Sequence, residues 1–180
     1  IGFGIMGERL LRAALAHDPA VLVGSGSYDP SLEAARRLAA VSSTARAFAT
    51  AAEVIGASDC LHIASPPSNH LGYLAQCAAA GRAALCEKPL ATDVAEASRV
   101  VADLVRHSAR VGVNFPFASS FAVDQLSRWM ADGSIGTPQS IEIEVAFAAW
   151  PRSWQRDAVA WLDGRRDGGF TREVVSHFLF

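Results

Sequence analysis

Gly2-Phe3-Gly4-Ile5-Met6-Gly7 opens the chain and fits the pattern G-x-G-x-x-G. In that pattern the first glycine makes a tight turn, the second lets the backbone approach a pyrophosphate, and the third lets a helix pack closely on a sheet. Residues 6–17 follow with helical spacing, so the helix N-terminus, with its unsatisfied N–H groups, points at the place a phosphate would take. A glycine loop alone is a weak signal, because an ordinary turn has the same composition. Its context strengthens it: Asp29 follows about 20 residues on, at the carboxyl end of a strand expected over 21–27. A carboxylate there accepts both ribose hydroxyls and repels a 2′-phosphate, which favours NAD and leaves NADP open. The alternative for Asp29 is a turn or helix-cap residue ahead of Pro30.

Outward from this loop, short apolar runs alternate with helical periods. Ile1 reads as the stump of a first strand. The spacing predicts helices over 30–38, 69–80 and 93–107, a helical turn ending at Ile55, and strands over 45–48, 59–64, 83–86 and 111–114. Gly81 is placed as the C′ glycine of the helix before it. Thr92 is placed as the N-cap of the helix after it, with Asp93 and Glu96 early in that helix, where the macrodipole favours acids. Such alternation argues for a parallel, doubly wound sheet with helices on both faces. The period changes after Pro116. A helix is expected over 121–131, and 141–147 (Ile-Glu-Ile-Glu-Val-Ala-Phe) alternates strictly, as a strand of an antiparallel sheet with one wet face does. The division expected is therefore 1–117 for the nucleotide-binding domain and 118–180 for the opening of an α+β domain with an open, mainly antiparallel sheet. The short run before the glycine loop and the apolar end at Phe180 lead us to expect a chain shortened at both ends.

Composition narrows the function. With 180 residues, 51% hydrophobic and 19% charged, and a formal net charge of −2, the chain is globular and offers no basic face for nucleic acid. No apolar run approaches the ~20 residues that span a bilayer. Cys60, Cys77 and Cys86 lack C-x-x-C spacing, so no metal site or disulfide framework is expected. All three read as core, and a reducing, cytoplasmic setting is expected.

Two further signatures lie just past strand ends, where open α/β sheets bind ligands: Ser65-Pro66-Pro67-Ser68-Asn69-His70 and Glu87-Lys88-Pro89. With Gly2–Gly7, Asp29 and Asn114 they converge on one crevice. Together with Gly168-Gly169, Glu173 and His177, these stretches resemble the Gfo/Idh/MocA oxidoreductases across essentially the whole chain, in the family's order. The resemblance implies a Rossmann domain, NAD or NADP as cofactor, a small-molecule substrate and homo-oligomers. It makes Lys88 the central catalytic residue, followed by a cis peptide bond to Pro89. Lys88 is the single lysine among 16 basic side chains; an arginine-biased chain keeps an ammonium where a compact, tunable donor is needed. Glu87 is read as positioning Lys88 and the cofactor. His70 is read as a cofactor contact or helix cap, and Asn114 as a cofactor or substrate contact or a strand-end residue satisfying the backbone. The cofactor set is thus Gly2, Phe3, Gly4, Ile5, Met6, Gly7, Asp29, Ser65, Pro66, Pro67, His70, Glu87, Lys88 and Asn114.

The resemblance also implies that Glu173 and His177 face the substrate. Four residues apart, they share a face if one helix carries both, with Thr171 as its N-cap. The family usually has aspartate at the position of Glu173, and it frequently has an arginine after the last strand, where this chain has Pro116 or its neighbours. Both departures bear on substrate identity. The reaction expected is reversible oxidation of a secondary alcohol of a sugar, polyol or related hydroxy compound. His177 is the expected general base, Lys88 stabilises the developing alkoxide, and Glu173 orients substrate or base. Two alternatives stay open: an NAD-dependent glycosidase with transient redox, and a nucleotide-binding regulatory protein without turnover. The tryptophans Trp150, Trp154 and Trp161 read as packing residues.

Overall fold

The computed structural model describes every residue except 19, 21, 22, 25, 151, 154, 156–161, 163 and 180. It divides into two compact units. One comprises residues 1–114 with 165–167, the other 115–164 with 168–180.

In the first unit the elements run α1 (Ile5–Leu15), β1 (Gly26–Ser27), α2 (Leu32–Val41), β2 (Arg46–Ala47), α3 (Ala51–Gly56), β3 (Cys60–Ile63), α4 (His70–Ala79), β4 (Ala83–Glu87), α5 (Val94–Arg106) and β5 (Val111–Asn114). β1 pairs in parallel with β2, and β3, β4 and β5 form a second parallel ladder in that order. Ile1 joins the two. Its nitrogen donates to the His62 carbonyl at 2.6 Å, and its own carbonyl accepts from Ala64 N–H at 2.7 Å, which sets Ile1 beside Ile63. On the other side Gly2 N–H donates to the Tyr28 carbonyl at 2.8 Å. The order along the sheet is then β2, β1, Ile1, β3, β4, β5. The strand order reverses next to Ile1, where doubly wound sheets open their ligand crevice.

Alternation along the strands decides which face is dry. Leu61, Ile63, Ala84 and Cys86 point to the side of α4 and α5 and build the main core with Ile1, Val54, Leu74, Cys77 and Leu104. A smaller cluster of Phe3, Ala34 and Leu38 forms between the glycine loop and α2. Phe3 is 2% exposed, and burying such a side chain stabilises by about 1.5–3 kcal/mol. Cys60 departs from the sequence expectation. It starts β3 on the face opposite Leu61 and is exposed, whereas Cys77 and Cys86 are fully buried.

Local chemistry sets the boundaries. Gly81 adopts φ +68, and the pair Gly81 N–H to Ala78 C=O and Arg82 N–H to Cys77 C=O closes the end of α4. This pair of hydrogen bonds around a left-handed glycine is the Schellman arrangement. The N-cap of α5 is Asp93, not Thr92: the Asp93 carboxylate accepts from Glu96 N–H at 2.7 Å. Both residues have an oxygen suited to capping, and the position that reaches the third helical N–H wins. Of the strand expected over 21–27, Gly26 and Ser27 are in β1, and residues 21, 22 and 25 lie outside the described ones.

The second unit carries α6 (Phe121–Ala131), capped by the Ser120 hydroxyl, and a four-residue helix α7 (Phe170–Glu173). No strand forms over 141–147 among the described residues, and Ile141 is 85% exposed. Alternation prepares a segment for a ladder, but the ladder needs a neighbouring strand to bond, and none of the described residues supplies one. Trp150 packs edge-on against Phe170, with Phe147 beside both; Trp154 and Trp161 fall outside the described residues. No helix among the described residues is long and apolar enough to cross a membrane.

The cap assignment has a direct test. Asp93→Ala is expected to cost about 1 kcal/mol of unfolding free energy, and Thr92→Ala under about 0.5 kcal/mol, measured by urea denaturation. Equal losses would return the cap to Thr92.

Candidate active site

The carboxyl ends of all strands in the first unit lie along one edge, and a continuous line of contacts runs along it. At one end Asp29, just after β1, accepts from Phe3 N–H through Oδ2 at 2.7 Å and from Ser31 N–H through Oδ1 at 2.8 Å. The acid of the fingerprint therefore anchors the glycine loop and turns the chain into α2. A carboxylate has about four acceptor positions, so these two bonds leave acceptor capacity on each oxygen. Arg37, which belongs to no motif in the sequence, donates from α2 to the Phe3 carbonyl at 2.7 Å. Phe3 thus gives its side chain to the core and both backbone groups to the loop's anchors.

The three glycines serve distinct needs. A Cβ on Gly2, at φ +86, would come within 2.7 Å of the Ala64 and Ser65 backbone; one on Gly7 would sit 2.1 Å from the Gly2 carbonyl oxygen. A Cβ on Gly4 would meet nothing within 4 Å. Gly2 is small because two loops touch, and Gly7 because α1 starts against the turn. At Gly4 the chain borders open space, where a ligand's phosphates have room. Gly4 is the N-cap of α1 and provides no side-chain cap. The first N–H groups of Ile5, Met6 and Gly7 are therefore not consumed by a capping side chain, and such a helix start suits an anion. These residues fit a dinucleotide's pyrophosphate.

Beyond the glycine loop the line continues through Ser65, Pro66 and Pro67 into a 3-10 turn over Pro67–Asn69. Ser68 N–H donates to Asp167 at 2.7 Å, a partner far away in sequence. His70 is 1% exposed. Its Nε2 lies 2.8 Å from the Ser65 carbonyl oxygen and its Nδ1 2.9 Å from that of Pro89. Both partners only accept, so the tautomer decides which of the two carbonyls receives the ring N–H, while the other ring nitrogen faces its carbonyl at a similar distance. His70 is turned inward, behind the two loops, and ties them together. The Lys88–Pro89 peptide bond is cis.

Glu87 ends β4 and is 6% exposed. Its Oε1 accepts from Asn114 Nδ2 at 2.7 Å and lies 3.0 Å from His62 Nε2. Asn114 therefore gives one amide N–H to a side chain, a role beside the two the sequence offered it. His62 went unremarked in the sequence because a lone polar residue in an apolar strand has no motif. Its signal was parity: His62 pairs with Leu85, and Glu87, two residues on, pairs with Asn114, so all point to one face. Burial, the largest influence, opposes ionisation of Glu87. The hydrogen bonds from His62 and Asn114, with the charges of His62 and Lys88, outweigh it and hold the carboxyl below its ordinary range.

In the second unit the sequence picture changes. The N-cap of α7 is Gly169, at φ +103, not Thr171, and the helix ends at Glu173. His177 belongs to a separate 3-10 turn over Val175–Phe178, bonded to Val174 rather than Glu173. The two residues are therefore not successive positions on one helical face. A left-handed glycine starts the helix early, and four residues later it has already turned. Glu173 is buried, and the His177 ring packs 5.2 Å from that of Phe117.

A cavity of about 820 Å³ lies at the opposite edge of the first unit, between α4 and α5, lined in part by Arg82, Arg99, Asp103 and Arg110. Arg82 and Arg110 donate to the Gly56 and Gly81 carbonyls, so their charges are engaged with the ends of α3 and α4.

The depressed Glu87 pKa makes a sign-definite prediction. A carboxyl ionised more readily in the folded state stabilises it above the ordinary carboxylate range and loses that contribution as pH falls below it. Replacing it by Glu87→Gln is expected to flatten the acid limb of a plot of stability against pH from 6 to 3. An unchanged limb would show that Glu87 carries no such linkage.

Residues 1–115 match the family model described as "Oxidoreductase family, NAD-binding Rossmann fold". D-apiose dehydrogenase of Paraburkholderia graminis is 34% identical over 95 residues, covering 52% of this chain and 25% of that protein. Inositol 2-dehydrogenase 1 of Saccharopolyspora erythraea is 36% identical over 83 residues, 44% of this chain and 24% of its own length. Among solved structures, a putative myo-inositol dehydrogenase from Sinorhizobium meliloti superposes with TM-score 0.71 at 19% identity, over 98% of this chain and 51% of its own. The WlbA dehydrogenase of Bordetella pertussis, solved with NADH and UDP-GlcNAcA, gives 0.64 at 23%, over 73% and 41%. The chain spans about a quarter of those two curated relatives and about half of the longer structural match. With the glycine loop, the acid after β1 and the Glu-Lys-Pro turn gathered on one sheet edge, this chain belongs to the Gfo/Idh/MocA oxidoreductases, a family with an NAD-binding Rossmann fold.

Proposed function

We propose that the complete protein is an NAD-dependent dehydrogenase acting on a secondary alcohol of a sugar or polyol. The observation that carries this reading is the unbroken line of bonded loops from Asp29 to Asn114, with Lys88 within it. Relatives named for D-apiose and inositol support the substrate class. The uncapped start of α1 and the open space at Gly4 receive the pyrophosphate, and the remaining acceptor positions of Asp29 receive the adenosine ribose. The same negative charge disfavours a 2′-phosphate, hence NAD before NADP.

Bound nicotinamide supplies the hydride acceptor or donor; the protein supplies alignment and charge. Lys88 donates a hydrogen bond to the reacting oxygen and stabilises negative charge growing there. Glu87, fixed by His62 and Asn114 on one oxygen, keeps a negative charge next to that ammonium. On the resemblance, His177 takes the hydroxyl proton and Glu173 orients the substrate or the imidazole.

The test starts with calorimetry of the complete protein against NAD and NADP, followed by a panel of sugars and polyols read as reduced nicotinamide at the appropriate absorbance. Binding of NAD tighter than NADP and turnover of at least one panel member are expected. Lys88→Ala is expected to lower kcat by about 10²–10⁴-fold and to shift the NAD Kd by less than about threefold, since the pyrophosphate contacts are elsewhere. Absence of binding by either nucleotide, or an alanine variant as fast as the wild type, would overturn the assignment.

A further inference from the structure

The turn that carries Lys88 is held by an imidazole on each side. Ahead of the lysine, His62 Nε2 lies 3.0 Å from Glu87 Oε1; behind it, His70 Nδ1 lies 2.9 Å from the Pro89 carbonyl oxygen. The second nitrogen of His70 reaches the Ser65 carbonyl at 2.8 Å, so one rigid ring spans two of the loops that line the edge. At 1% exposure His70 contacts nothing outside the protein. A phenyl ring would fill much the same volume, so what the imidazole adds is direction: a planar frame with a polar nitrogen facing each carbonyl, one of them donating, holds the two loops together. His62 does the equivalent from β3, holding the Glu87 side chain from across the neighbouring strand.

We propose that His62 and His70 are positioning residues that together fix the Lys88 turn against the Ser65 loop. Each acts through the backbone or side chain next to Lys88. The physical motive is the cost of a loose ammonium. A hydrogen-bond donor displaced by about 1 Å from the reacting oxygen can lose 10²-fold in rate. The effect on catalysis rests on the function proposed above; the brace itself does not.

The experiment uses the complete protein and four variants: His70→Phe and His70→Gln, His62→Leu and His62→Gln. Hydrogen exchange reads the brace directly. In His70→Phe and in His62→Leu, amides of residues 85–92 are expected to exchange at least tenfold faster, while α5 and β5 stay within threefold of wild type. Turnover reads the consequence. In both variants kcat is expected to fall at least tenfold with the NAD Kd changed less than threefold, and each glutamine variant, which keeps a donor, is expected to regain part of the loss. The inference is overturned if exchange over 85–92 is unchanged in either variant, or rises equally throughout the unit. It is likewise overturned if kcat and nucleotide affinity fall together, as a merely structural role requires. A wild-type protein without turnover would overturn the proposed function instead, and the exchange arm would still decide the brace.

Discussion

The parallel pairing of Ile1 with Ile63 is the constraint on which the nucleotide-binding unit depends. It joins the β1–β2 pair to the β3–β5 ladder, and it brings the glycine turn against the Ala64–Ser65 backbone so closely that a Cβ at Gly2 would be 2.7 Å from it. Backbones too close to admit a Cβ between them restrict the relative placing of their loops. Once Ile1 is in register, the turn after it, the Ser65 loop and the start of α1 have one arrangement, and the crevice at the reversal of strand order follows. A core built around Ile63, Leu74, Cys77 and Cys86 then makes the register costly to slip, because a one-residue shift would turn the buried set outward.

Along the same edge, polar groups are spent on one another in sequence. Asp29 holds the glycine loop, Arg37 its carbonyl, His70 the Ser65 and Pro89 carbonyls, and Glu87 collects His62 and Asn114. Each is a hydrogen bond to a loop that would otherwise be mobile, and several involve buried partners, for which a broken bond leaves an unsatisfied group. The rigidity of the edge is the sum of such bonds and not of any loop's own conformation. Residues read as ligand contacts take part in this anchoring: the Phe3 side chain packs in the core, His70 lies between two backbone carbonyls, and Asn114 donates to Glu87. A binding edge made of turns needs such anchoring before it can hold anything else in place.

How much of this was legible differs by residue. The glycine pattern, the acid after β1 and the position of Glu87-Lys88-Pro89 past a strand were readable because each is a local arrangement with a fixed spacing. The cap of α5 was missed by one residue, since Thr92 and Asp93 have similar capping chemistry and only geometry selects between them. Cys60 was misread because its neighbours are apolar, and composition does not distinguish the two faces of a strand. The expected face shared by Glu173 and His177 dissolved because Gly169 starts α7 early and the helix is only four residues long. His62 and Arg37 had no motif at all; each matters through a partner distant in sequence.

By itself the sequence determined the alternation of strands and helices, the parallel doubly wound class, and the loops that would meet at one edge, because periodicity, glycine and proline act on neighbours within a few residues. Tertiary structure alone decided which polar groups along that edge bond one another. It decided that segment 141–147 forms no strand among the described residues, and that imidazoles stand on both sides of the lysine turn. Hydrogen bonds between distant residues depend on strand register and burial, and those exist only after the chain has folded.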